Sequence, residues 1–109
     1  MDTKMDFSVV LITAGSEEEA KRIATALVEE QLAACVNIVG PIRSIYRWEG
    51  KVQNERELLL IVKTRSAALA RLQVRVGELH SYDTPEIIAL PITTGSEKYL
   101  RWLESSTAR

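Results

Sequence analysis

Residues 35–63, Cys35-Val-Asn-Ile-Val-Gly-Pro-Ile-Arg-Ser-Ile-Tyr-Arg-Trp-Glu-Gly-Lys-Val-Gln-Asn-Glu-Arg-Glu-Leu-Leu-Leu-Ile-Val-Lys63, decide the fold. Cys35 to Trp48 is rich in β-branched and aromatic residues and predicts a strand. Gly40-Pro41 bends it, because proline cannot donate to a ladder. Glu49-Gly50 marks a tight turn, and Lys51 to Lys63 returns as a second strand, so the stretch reads as one long hairpin. Upstream, Phe7 to Thr13 is a further strand, broken at Ala14-Gly15. Ser16-Glu17-Glu18-Glu19 then forms a capping box in which the Ser16 hydroxyl accepts from the Glu19 amide and Glu19 reaches back. Ala20, Ile23, Ala24, Leu27 and Val28 follow at helical spacing, predicting a helix from about Glu17 to Ala33.

Downstream of the hairpin, Ser66 is the expected N-cap of a helix with Leu69, Leu72, Val76 and Leu79 on one side. His80 to Pro85 reads as a loop, since Pro85 disfavours helix at Thr84. Glu86 to Thr93 is a fourth strand, with Pro91 pointing to an edge or bulge. Ser96 can cap a short terminal helix carrying Tyr99, Leu100, Trp102 and Leu103. The order is βαββαβ plus a tail helix. Right-handed crossovers around a central hairpin give an α+β, ferredoxin-like sandwich with strands in spatial order 4-1-3-2.

The chain has 109 residues, enough for one domain over 1–109 and too few for two separate cores. Fourteen basic and fifteen acidic residues leave a net charge of −1, which gives no electrostatic case for nucleic acid. One cysteine, Cys35, excludes a disulfide within the chain and fits a reducing compartment. Met1 to Asp6 carries two acids and lacks the pattern of a signal peptide, and no apolar run approaches bilayer length. A cytoplasmic protein without membrane or nucleic-acid partners is expected.

The central strands carry a further implication. Val9-Val10-Leu11-Ile12 and Leu58-Leu59-Leu60-Ile61-Val62 are continuously apolar, as in strands buried on both faces. The two crossover helices cover one face only, and the short terminal helix cannot cover the other alone. Another subunit is expected there, reached by a hairpin longer than so small a domain needs. Trp48 is expected to be buried against that neighbour.

Leu32-Ala-Ala-Cys-Val-Asn-Ile38, Ser44-Ile-Tyr-Arg-Trp-Glu-Gly-Lys51 and Glu57-Leu-Leu-Leu-Ile-Val-Lys-Thr64 resemble successive signature blocks of the CutA divalent-cation-tolerance family. His80-Ser-Tyr-Asp-Thr-Pro-Glu86 looks like its His-Pro-Tyr-Glu-x-Pro-Glu block, and Tyr99-Leu-x-Trp102 closes the pattern. The likeness runs from about Val9 to Leu103. It implies an intertwined homotrimer and an association with tolerance to copper and other divalent metals. It further implies an architecture similar to PII-type signalling trimers, which bind small molecules between subunits. Two departures stand out: Ser81 replaces the usual proline and Asp83 the usual glutamate, so a looser loop after His80 is expected. Ile12 and Leu79 stand where some relatives have a cysteine and a second histidine.

His80, Cys35 and Glu57 therefore remain as the candidate metal ligands, for a copper or other divalent ion bound weakly and not needed for folding. Cys35 could supply a soft thiolate, or be a small hydrophobe at a strand start. His80 could be a ligand or a helix-end histidine favoured by the dipole. Glu57 could sit in an intersubunit cleft or on the hairpin surface, and Lys63 could pair with it or hold a small anion. Tyr46, Trp48, Tyr82, Tyr99 and Trp102 read as interface and core aromatics. No nucleophile elbow, phosphate-cradling glycine loop or clustered zinc spacing is present, so catalysis is not expected. Two functions follow: copper tolerance by a weak metal-binding homotrimer, or a PII-like small-molecule-binding or protein-interaction trimer.

Overall fold

The computed structural model describes residues 6–107; of the start read above, Met1 to Asp6, only Asp6 is among them. In chain order the elements are β1 (Phe7–Ala14), α1 (Glu17–Glu29), β2 (Cys35–Trp48), β3 (Lys51–Arg65), α2 (Leu69–Leu79), β4 (Ile87–Ile92) and α3 (Glu97–Ser106). The four strands form one antiparallel sheet in the order β2-β3-β1-β4. This is the expected 4-1-3-2 arrangement, with the two most apolar strands at its centre and Pro91 on an edge.

Alternation along the strands sorts the layers. Val10 and Ile12 of β1 and Leu60 and Val62 of β3 face α1 and α2, where they pack with Ile23, Leu27, Leu72 and Val76, all fully buried. Burial of each such side chain is worth about 1.5–3 kcal/mol. Residues of opposite parity face the other way. There α3 brings Leu103 and Leu100 against Phe7, Ala34 and Ile92. The rest of that face is open, with Val39, Ile88 and Leu90 all roughly half exposed.

Two local expectations are corrected. Helix α1 ends at Glu29, four residues before Ala33. Gln31 adopts a left-handed φ of 61°. The Leu32 amide then donates to the Leu27 carbonyl and the Gln31 amide to Val28, a Schellman closure that satisfies the last carbonyls. Leu32 and Ala33, apolar at helical spacing, are instead buried after the turn. Ser66 does not cap α2. It opens a 3-10 turn, Ser66–Ala68, and its hydroxyl shares a 2.6 Å hydrogen bond with the Ser8 hydroxyl.

The hairpin outruns the sheet. β1 pairs with β3 only between Leu58 and Arg65, so Ile42–Trp48 and Lys51–Glu57 pair with each other alone, as a two-stranded arm. A register shift between Val39 and Ile42 marks its root at the Gly40-Pro41 bend. At its tip Glu49 (φ 50°) and Gly50 (φ 80°) both have positive φ, the backbone that a two-residue hairpin turn requires. The arm draws the molecule out to 50 × 25 × 22 Å. Ile45 and Val52 on it are about two-thirds exposed. A two-stranded ribbon of this kind is marginal by itself in water.

Candidate functional site

The structure gathers chemistry at the end of the sheet where the arm begins. His80 caps the C-terminus of α2 and its side chain is buried. Its Nε2 lies 2.7 Å from the Thr13 carbonyl of β1, and the Tyr82 amide donates to its Nδ1 at 3.1 Å. A carbonyl can only accept and an amide N–H only donate. Both ring nitrogens are therefore engaged, and Glu19 Oε2 also lies 3.4 Å from Nδ1.

Glu19, on the first turn of α1, is buried beside it. The Ser16 hydroxyl accepts from the Glu19 amide as the capping box requires. The Glu19 carboxylate, however, accepts from the Ser81 amide at 2.6 Å and the Ser81 hydroxyl at 3.0 Å rather than reaching back. Burial alone would raise this carboxyl; the two Ser81 hydrogen bonds, with His80 and Arg22 nearby, hold it below its ordinary value. The expectation of a looser loop is thus overturned. A proline at position 81 would have no N–H, whereas Ser81 gives the carboxylate two donors and ties the loop to α1.

Tyr82 continues the chain of contacts. Its ring lies 4.7 Å from that of His80. Its hydroxyl donates to Glu57 Oε2 at 2.8 Å. Burial, and then the Glu57 carboxylate, push the Tyr82 phenol well above its ordinary range. Glu57 retains only 4% of its exposure, and its other oxygen accepts from no described residue. By strand alternation Glu57 points to the open face, with Tyr46 nearby on β2. Burial first, and then Glu55 and Glu57, raise the Tyr46 phenol.

Cys35 lies elsewhere. It pairs in register with Lys63, six residues along β3 from Glu57, which at about 3.3 Å per residue is roughly 20 Å away. The thiol is half-buried, 3.8 Å from the Asn37 carbonyl oxygen, and it raises the phenol of Tyr99 after burial has done so. The Lys63 ammonium donates to the same Asn37 oxygen, so of its two possible roles the pairing with Glu57 does not form. Thus His80 and Glu57 are bridged by Tyr82, and Cys35 stands apart. None of the five aromatics singled out in the sequence belongs to the buried core: Tyr46, Trp48, Tyr82, Tyr99 and Trp102 are all between 36% and 49% exposed. The sequence reading missed Glu19 and Tyr82 as members of this site. Their partners lie 62 and 25 residues away, beyond any local signal.

A sequence model of the family described as CutA1 divalent ion tolerance protein matches residues 8–106. The chain belongs to this family. It is 59% identical over 99 residues to the divalent-cation tolerance protein CutA of Thermus thermophilus, covering 91% of this chain and 96% of that one. It is 56% identical to the chloroplastic CutA of Arabidopsis thaliana, of which it spans 54%. Among solved structures, the Thermus thermophilus CutA1 superposes with a TM-score of 0.92 at 57% identity, covering 94% of this chain and 99% of that one. The Oryza sativa CutA1 gives 0.94 at 50% identity, with 99% of each chain covered.

The CutA name raises the question of whether the three candidate ligands fit a metal ion. A built site needs several donors converging on one point. Among the described residues no group of three or more His, Cys, Asp and Glu side chains does so. His80 has no free lone pair while Tyr82 holds Nδ1. Within one chain, the three residues do not fit a chelated ion.

Proposed function

We propose that this CutA chain serves divalent-cation tolerance as a cytoplasmic homotrimer that meets copper weakly, through few donors, and needs no metal to fold. The observation that carries this reading is the state of the three donors. His80 is committed through both nitrogens, Glu57 is half committed to Tyr82, and the Cys35 thiol is half-buried, between the Asn37 side-chain oxygen and the Tyr99 phenol. Cys35 is thus the donor best placed to meet a soft ion. Its survival as a free thiol suits a reducing compartment. The trimer is supported by the open apolar sheet face and by the unsupported arm. The role is not catalytic.

Copper titration into wild type, Cys35→Ser, His80→Ala and Glu57→Gln tests the metal part. Weak binding lost in Cys35→Ser and retained in His80→Ala is the expected result. Loss in a folded His80→Ala, or tight binding independent of Cys35, would overturn it. The open oxygen of Glu57, on the same face of the arm as Tyr46, favours a second reading, a PII-like trimer that binds a small molecule or another protein. A thermal-shift screen decides between them: metabolites that raise the melting temperature where metals do not would favour the second.

A further inference from the structure

The pairing register gives the arm two unlike faces. Opposite residues of an antiparallel pair share a face, and faces alternate along each strand. Tyr46–Gln53, Trp48–Lys51, Ser44–Glu55 and Ile42–Glu57 pair on one side. Arg43–Arg56, Ile45–Asn54 and Arg47–Val52 pair on the other. One face is aromatic and carries Glu55 and Glu57, with Lys51 as its single cation at the tip. The other carries three arginines and the two most exposed aliphatic side chains of the arm, Ile45 and Val52.

Each face lacks what the other holds. Arg43 and Arg56 sit directly opposite each other, a like-charge pair that destabilises an isolated ribbon. Among the described residues, none of Arg43, Arg47 and Arg56 has an acidic partner. Glu57 is a nearly buried carboxylate whose one oxygen accepts from Tyr82 while the other meets the surface, open to a donor from outside the chain. A guanidinium supplies two parallel donors for a carboxylate and a flat cation for the face of Tyr46. The chain cannot join the two faces to each other, since they look in opposite directions. A second copy can.

We infer that the arm's two faces are the two halves of one contact between copies of this chain, in which an arginine from the Arg43/Arg47/Arg56 face of one arm completes the Glu57–Tyr82–Tyr46 site of the next. Because the halves differ, the contact is head-to-tail rather than two-fold, the kind that forms the ring of the trimer proposed above when its rotation closes. This rests on the trimer proposed above and specifies which surfaces meet in it.

The test uses the intact chain and measures mass against concentration by sedimentation. Glu57→Gln keeps the shape and the Tyr82 contact while removing the charge. It is expected to weaken each of the three contacts of a trimer about ten- to a hundredfold, the range of hydrogen bonds to a charged group, and the trimer dissociation constant by the cube of that factor. One of Arg43→Met, Arg47→Met and Arg56→Met should do the same, and combining it with Glu57→Gln should add little further. A wild-type trimer whose dissociation is unmoved by Glu57→Gln, or in which all three arginine effects add independently to it, overturns this contact alone. A monomeric wild type at micromolar concentration overturns the trimer and the contact together.

Discussion

The Tyr82 hydroxyl donates to the Glu57 carboxylate across 2.8 Å, tying the loop after α2 to the root of the β2–β3 arm. That bond joins two layers: the helix side, where Tyr82 is anchored through His80 and Glu19, and the open side of the sheet, where Glu57 points. Tyr82→Phe keeps the ring against His80 and removes the donor. Denaturant unfolding is expected to show a loss of about 1–3 kcal/mol, the cost of leaving a buried acceptor without its partner. A variant as stable as wild type would mean that water replaces the hydroxyl at no cost.

Glu19 makes stability depend on acid. Its folded-state carboxyl lies below the ordinary value of 4.5, so the unfolded chain takes up a proton first as pH falls. The contribution is therefore fully present above about 4.5 and disappears as pH falls through the lower, folded-state value. Glu19→Gln is expected to be less stable than wild type at pH 7, with the gap narrowing below pH 4.5. A gap independent of pH would assign the loss to packing instead.

Gly40 is held by its neighbour. A Cβ there would lie 1.9 Å from Leu58 Cδ1 and 3.2 Å from Leu58 Cγ. Leu58 packs against the main core, so its side chain cannot swing away without disturbing that cluster. Gly40→Ala is expected to cost about 1–3 kcal/mol, as overpacking does, and to lower the melting temperature. An unchanged melting curve would show that Leu58 rotates freely.

The fold was legible because its signals are local or periodic. The Glu49-Gly50 turn, the Ser16–Glu19 cap and the continuous apolar runs of β1 and β3 each declare their element, and topology rules leave one sheet order. What escaped was set by tertiary contacts. Gln31 is not a residue that announces a left-handed helix end, and Ser66 looked like a cap until Ser8 claimed its hydroxyl. In the candidate site, His80 and Glu57 were visible as residue types. Their state was not, because Thr13, Tyr82 and Ser81 take up their neighbours' lone pairs and donors from distant parts of the chain. Ser81 shows this best: compared with a proline it suggested looseness, yet its amide and hydroxyl are what Glu19 holds.

Trp48, near the arm's tip, separates the stability of the chain from that of its assembly. It is 49% exposed and touches none of the buried clusters. Within one chain, Trp48→Ala should therefore cost little. Against a neighbouring copy the same ring would be enclosed, and its removal would cost on the order of 3–5 kcal/mol if burial were complete. The expected outcome is a melting temperature that falls with dilution far more steeply in Trp48→Ala than in wild type, because the lost energy belongs to association. Light scattering should show the variant dissociating toward 12.2 kDa at concentrations where wild type stays assembled. Equal masses and parallel dilution curves for the two proteins would place Trp48 outside any interface and leave the tip of the arm in water.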